Sequence, residues 1–446
     1  MNKKSLKLLL VSPKGHFLVR NEKFSEFVKT SKEMATYLHY WSGLSVALPT
    51  IAGLTPGHHE ITIVDENQEQ INFNDFYDIV GITAMTQQAP RAYQIAQGFK
   101  EKGVHVVIGG IHATVLSDEA KQYSDTVIIG EAENTWPRFL EDFLNGSPKQ
   151  FYNQKDYHTV DMKNIPTPRF DLVSHYKYPV IWMQTTRGCP HDCEFCVASG
   201  IYGRKYKHKG IDQVIQEIKE IKKYWKFAQI GFADDNMFVD RKFSKDLLSN
   251  FKDLNFSWFA QTDISVGNDG QFLESLKKNG CKYFFIGFEG TSKNKLEKLN
   301  KNGWKAKKFD DYKKFIDIIQ KKGIGIFGSF ILGLDDDDTS VFDDTISFIN
   351  SNNLMGSQVT ILTPFPGSRL SDRMIAENRI TNKNWDYYTG WNTVFKHNIL
   401  NEEELENGLM KVYSEIYNQN TFLKRAQYFR NIVENIIKTE DQHENR

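Results

Sequence analysis

A chain of 446 residues, 40% hydrophobic and 25% charged, has the make-up of a folded protein of two or three domains and not of a disordered or fibrous one. Its 56 lysines and arginines balance 56 aspartates and glutamates, so no global charge draws it to nucleic acid or to anionic membranes. Three of its four cysteines fall within eight residues, which argues against a disulfide framework and for a metal held in the reducing cytoplasm.

The N-terminal apolar run 8–11 is preceded by Lys7 and closed by Pro13, which makes it a first strand and not a signal peptide. No run approaches the ~20 apolar residues of a membrane helix. Strands are expected at 7–12, 61–65, 79–83, 104–109 and 126–129, with helices near 32–52, 88–102, 114–123 and 135–144. Five such βα units with continuously apolar strands predict a doubly wound parallel sheet over 1–145, whose ligands bind at the carboxyl ends of the strands. Residues 146–180, weakly periodic and containing Pro166 and Pro168, read as a linker. A second series follows, with strands at 182–187, 228–232, 258–262, 283–289, 324–332 and 358–362 and helices between them. Six repeats fall short of the eight-fold barrel and predict a partial (β/α)6 barrel over 181–366. The remainder, 367–446, is expected to be helical and to close the mouth of the barrel.

Directly after the first barrel strand comes Thr186-Arg187-Gly188-Cys189-Pro190-His191-Asp192-Cys193-Glu194-Phe195-Cys196, a C-x3-C-x2-C loop. Thiolates at this spacing converge from a single turn. Three local ligands without a fourth suggest a [4Fe–4S] cluster with one open iron, since ordinary clusters take four cysteines and structural zinc is closed by four ligands. The competing reading is zinc completed by His191 or His208. Cys281, alone at a strand start, reads as a buried core thiol. The acidic run 335–338 reads as helix capping, and the basic, aromatic stretch 202–210 as a cover for the cluster.

The cysteine loop, with Phe195 before its last thiol, resembles the radical S-adenosylmethionine (SAM) superfamily. The resemblance implies that SAM chelates the open iron and is cleaved by one electron to methionine and a 5′-deoxyadenosyl radical. It also implies SAM contacts residue by residue. Asp234, Asp235 and Asn236 stand where the superfamily meets the SAM amino group, and this Asp-Asp-Asn is typical of the cobalamin-linked branch. Gln261, Gly287 and Glu289 fit positions that hold the carboxylate and ribose, and Gly328 and Gly333 positions beside the adenine.

The first domain resembles the cobalamin-binding Rossmann domain of the same branch. Thr83, Met85 and Thr86 follow its third strand, Gly109 and Gly110 its fourth, and Gly130 and Glu131 its fifth; the resemblance makes all seven cobalamin contacts. It covers about residues 6–370, including Pro168-Arg169-Phe170-Asp171-Leu172 and Thr363-Pro364-Phe365-Pro366-Gly367-Ser368, and is nearest to the branch containing the hopanoid methylases. The Asp-x-His-x-x-Gly cobalt-binding motif is absent, Asp161 standing where Asp156-Tyr157-His158 would need its glycine, while His16 lies in the loop after the first strand. The implied function is methylation of an unactivated carbon in a small-molecule or lipid-like substrate, with flavodoxin or ferredoxin as electron donor and no nucleic-acid partner. Two readings stand beside it: a radical SAM cyclase, oxidoreductase or rearrangement enzyme without methyl transfer, and a non-catalytic iron–sulfur or cobalamin sensor or carrier.

Overall fold

The computed structural model describes residues 5–15, 21–34, 43–299 and 302–444. His16 and part of the helix expected over 32–52 lie outside these residues. Among the described residues the strands run β1 (Lys7–Ser12), β2 (Gly43–Leu44), β3 (Glu60–Asp65), β4 (Ile79–Thr83), β5 (His105–Gly109), β6 (Thr126–Ile129), β7 (Phe151–Asn153), β8 (Val180–Met183), β9 (Thr186–Arg187), β10 (Lys207–His208), β11 (Gln229–Phe232), β12 (Trp258–Thr262), β13 (Cys281–Glu289), β14 (Gly325–Leu332) and β15 (Gly356–Ile361).

The first sheet is wholly parallel, in the order β3-β1-β4-β5-β6-β7. This is a doubly wound arrangement in which the strand order reverses between β1 and β4, opening a crevice at their carboxyl ends. Both faces are apolar because both are covered. Leu8, Leu10, Ile79, Val107 and Ile128 face a core shared with the second sheet. The alternate residues Leu9, Val11, Val80, Ile82, Val106 and Ile108 pack under the helix Ala89–Lys100. The sixth strand, β7, comes from the segment read as a linker, which also folds into 3-10 turns.

The second sheet is the expected partial barrel, in the order β15-β14-β13-β12-β11-β8-β2, again parallel throughout. The first predicted barrel strand is broken. β8 ends at Met183, and Thr186–Arg187 turns away to pair antiparallel with Lys207–His208. The cause is Asp234 at the end of β11, whose carboxylate takes the backbone N–H groups of Thr185 and Thr186 and so draws the chain out of the sheet. Behind the same loop a fully buried Lys209 donates to Glu217 of helix Ile211–Tyr224 at 2.6 Å.

The C-terminal helices bear on the mouth unequally: Arg369–Ala376 docks on the cysteine loop, where Arg373 pairs with Glu194 at 2.8 Å and Arg369 with Asp192 at 3.0 Å. Helix Glu402–Ile416 lies alongside the edge strand β15, where the Tyr413 hydroxyl bonds both the N–H and the C=O of Val359. The Tyr417 hydroxyl does the same for Ser357. Loops of the same region also reach the mouth, with Phe365, Thr389 and Gly390 on the cavity lining. The turn around Gly367 packs on Val115 of the first domain, and Trp385 donates to Glu119 there at 2.9 Å. No helix among the described residues is long and apolar enough to cross a membrane.

Candidate active site

A cavity of about 380 Å³ opens at the carboxyl ends of the barrel strands, within the range of small-ligand sites. The cysteine loop forms one wall, with Cys189, Cys193 and Cys196 all on the lining. Gly188 begins the loop in a left-handed conformation (φ 91°), and a Cβ there would stand 2.5 Å from the Lys205 carbonyl oxygen. Its N–H donates to Asp235 at 3.1 Å. Among the described residues no three His, Cys, Asp or Glu side chains converge on a single ion. Three thiols on one cavity wall without a fourth cysteine suit a cluster with an open iron, as four-ligand structural zinc does not. Burial pushes the Cys189 thiol up to about 12, and a metal bound there would displace its proton.

Of the expected SAM residues, Phe195, Asp235, Asn236, Gln261, Gly287 and Glu289 line this cavity. Asp234 does not. It is fully buried beneath the loop, where Thr185 and Thr186 consume its oxygens. Gly328 and Gly333 are also off the lining: a Cβ on Gly328 would meet Phe330 and Leu354, and one on Gly333 would meet Leu405. Both glycines serve packing.

Glu289 sits in the left-handed region (φ 66°) at an irregularity between β13 and β14, unusual for a residue with a side chain. Its carboxylate folds back over Gly287, where a Cβ would collide with it. Lys305 holds it there, donating to Glu289 at 3.0 Å and to the Gly287 carbonyl at 2.5 Å. Burial works against the charge of Lys305, but the Glu289 carboxylate and the Cys193 thiol beside it hold its pKa above the ordinary lysine value.

Opposite stands Asp263, which accepts from Asn236 at 2.7 Å, from His191 Nε2 at 3.2 Å and from the Ser265 backbone N–H at 2.9 Å. Burial opposes its charge, yet these donors outweigh burial and hold the carboxyl well below the usual range. The cavity therefore presents Asp235 and Glu289 as acceptors for an ammonium and for hydroxyls, against the aromatic side chains of Phe195, Phe285 and Phe365, while Asp263, whose oxygens are taken by His191, Asn236 and Ser265, orders the wall behind them. This donor and acceptor set fits SAM. Sequence reasoning missed Asp263, Lys305 and the outer lining of Gln358, Thr360, Thr389 and Gly390. Lys305 lies in a lysine-rich stretch without a motif; Asp263, two residues beyond Gln261, was within reach of the same strand-end argument.

The residues expected to contact cobalamin lie at the carboxyl ends of β4, β5 and β6 in the first domain. Met85 is half exposed there, while Thr86 is buried. Gly110 is demanded by the protein's own packing: its φ is 91° and a Cβ would stand 2.7 Å from Thr83 Oγ1. Gly109 is not, since a Cβ there would meet only Ile128 at ordinary contact distance. The carboxyl ends of β4 and β5 lie beside the switch point, and Gly109 there is a glycine that the protein's own packing does not require, which suits the close approach of a ligand. Glu131 is engaged elsewhere, by Arg187 at 2.6 Å and Lys207 at 2.9 Å, and is nearly buried.

A fold of this kind, with a three-cysteine loop at the mouth of a half barrel, defines a SAM-cleaving iron–sulfur protein joined to a B12-type domain. The radical SAM superfamily model matches residues 183–349, and the B12 binding domain model residues 45–140. The bacteriochlorophyllide d C-12(1)-methyltransferase of Chlorobaculum tepidum is 30% identical over 384 residues, 84% of this chain and 83% of that one. The hopanoid C-2 methylase of Rhodopseudomonas palustris is 23% identical, over 79% and 70% of the two chains. Among solved structures, the radical SAM methyltransferase TsrM of Kitasatospora setae, with cobalamin and a [4Fe-4S] cluster bound, has a TM-score of 0.66 at 13% identity, covering 84% of this chain and 78% of that one. The chain belongs to the radical SAM family, in its B12-binding branch. It is an enzyme, and the cofactors of that branch are a [4Fe–4S] cluster, SAM and cobalamin.

Proposed function

We propose that this enzyme methylates an unactivated carbon of a small or lipid-like molecule in the cytoplasm, using cobalamin and a radical generated from SAM. The observation that carries the reading is the pairing of two elements: three thiols and three acidic side chains on one cavity, and an adjoining doubly wound parallel sheet of the B12-binding type. The methyltransferase names of the relatives support it. When bound, the cluster and SAM supply a carbon radical and cobalamin a transferable methyl group.

The chain's own residues hold and orient. Cys189, Cys193 and Cys196 hold the cluster. Asp235, Asn236, Gln261, Gly287 and Glu289 bind SAM, with Lys305 fixing Glu289 and His191 fixing Asp263. Thr83, Met85, Thr86, Gly109, Gly110 and Gly130 cradle cobalamin. Phe195, Phe285, Ile331 and Phe365 give the cavity apolar walls that keep water from the radical. The electron comes from a small carrier of the flavodoxin or ferredoxin type.

Anaerobically purified protein from cobalamin-fed cells is expected to carry near four irons and one cobalt per chain. Changing the three clustered cysteines to alanine is expected to abolish both the iron and 5′-deoxyadenosine formation. Undiminished deoxyadenosine from that variant would overturn the cluster assignment, and iron without cobalt after reconstitution would overturn methyl transfer.

A further inference from the structure

The cysteine loop is tied to the B12-type domain by four charged side chains, each nearly buried. Arg187 stands two residues before Cys189. Its guanidinium donates to Glu131 and to Glu133, both at 2.6 Å, and to the Gln184 side chain at 2.8 Å. Lys207, directly across the two-residue ribbon from Arg187, donates to both oxygens of Glu131 at 2.9 and 3.0 Å. Side-chain exposure is only 9–13% across Arg187, Glu131, Glu133 and Lys207. Two cations meet two carboxylates, so the group is neutral as a whole.

The carboxylates belong to the other domain. They stand on the loop after β6 and in the first turn of helix Ala132–Leu144, at the carboxyl edge where the cobalamin residues gather. Burying charge of this kind adds little net stability, because desolvation cancels most of the attraction. What it fixes is geometry, since a planar guanidinium forked across two carboxylates accepts only a narrow set of positions. Arg187 passes that geometry on: the next residue, Gly188, begins the cysteine loop and donates to Asp235 on the cavity wall.

We propose that the Arg187–Glu131–Glu133–Lys207 clasp sets the position of the SAM site relative to the cobalamin crevice, making these four side chains positioning residues for methyl transfer between the two sites. The inference rests on the methyltransferase reading. In the transfer it serves, the sulfur–methyl bond of SAM breaks with its electron pair left on sulfur, giving S-adenosylhomocysteine. The pair for the new bond comes from reduced cobalamin. Radical generation needs only the cluster and SAM, which share one cavity, and Glu133, at the far end of the clasp, is not on the lining of that cavity.

The two outcomes separate in one assay on the holoenzyme with SAM and a strong reductant, reading S-adenosylhomocysteine against 5′-deoxyadenosine. Glu133→Gln is expected to keep the iron and cobalt of the parent and its deoxyadenosine rate. Its S-adenosylhomocysteine rate should fall by roughly 10- to 100-fold, the cost of misplacing reacting atoms by about 1 Å. Glu133→Asp, which keeps the charge and shortens the reach, should fall between parent and Glu133→Gln. Pulsed electron paramagnetic resonance of the reduced cluster and cob(II)alamin should give a broader distance distribution in Glu133→Gln than in the parent. Equal rates of both products in parent and variants, or a parallel loss of both in Glu133→Gln with full metal loading, would overturn the proposal. A parent that makes deoxyadenosine and no S-adenosylhomocysteine would overturn the methyltransferase reading itself, and this inference with it.

Discussion

Asp234→Asn separates folding from ligand binding at the end of β11. Asp234 has no exposed surface, and its oxygens accept from the Thr185 N–H and hydroxyl, each at 2.8 Å, and from the Thr186 N–H. Burial lifts its carboxyl from 3.8 to about 6, with the threonine donors pulling the other way. Below about pH 3 the folded and unfolded chains both keep this proton, so the group contributes nothing. As pH rises through 3.8 the unfolded chain ionises first, and the folded state loses ground until pH passes about 6. A gap of about two pH units corresponds to roughly 3 kcal/mol. Asparagine preserves the geometry, its oxygen accepting from both N–H groups and its amide donating to the Thr185 hydroxyl, and it carries no charge to bury. The variant should therefore gain on the parent from about pH 4 to 6, by up to about 3 kcal/mol, and keep the gain above that. Asp234→Ala abandons two buried N–H groups and should lose about 1–3 kcal/mol for each. Urea midpoints for the parent and both variants across that pH range, with SAM affinity measured alongside, test the reasoning. An asparagine variant as unstable at neutral pH as the alanine variant would refute it. So would an unchanged midpoint with SAM affinity lost, which would return this carboxylate to the ligand site.

Other expectations are shorter. Lys209→Met strands Glu217, whose carboxyl burial already raises, and should cost about 3–5 kcal/mol, while Lys209→Met with Glu217→Leu should recover most of it; equal losses in a thermal melt would contradict this. Lys305→Met releases the Glu289 side chain from its fold over Gly287 and should weaken SAM binding by at least about tenfold with the cluster retained, read by calorimetry; unchanged affinity would remove Lys305 from the site. Gly188→Ala drives a methyl into the Lys205 carbonyl at a left-handed position and should lower iron loading, so a variant with its full complement of iron would show that the loop has another way to close.

Much of this was legible in the chain because it is local. Cysteine spacing reports one turn, and apolar runs bounded by glycine and charge report buried parallel strands, which is why the half barrel and the doubly wound sheet could be anticipated. Asp234 and Asp235 mark where such reading ends. Adjacent residues leaving a strand point in opposite directions, so one carboxylate enters the cavity and the other goes beneath the loop, and sequence order cannot assign them. The ion pairs of Glu131 were out of reach for a related reason. Its partners Arg187 and Lys207 are 56 and 76 residues away, and only the folded chain brings them together. The break after β8 has the same origin, in a carboxylate 48 residues further on.

The two tyrosines beside β15 bear on how such a barrel survives with one side open. A partial barrel ends in a strand whose unused N–H and C=O groups would template a strand from any passing chain. Each hydroxyl of Tyr413 and Tyr417 occupies a donor and an acceptor at once, on alternate residues of that strand, and so fills the rungs where a foreign strand would zip on. The enzyme can then leave its barrel wide enough for a bulky guest without inviting its neighbours into the gap. Closure by more strands would have solved the same problem by shutting the guest out.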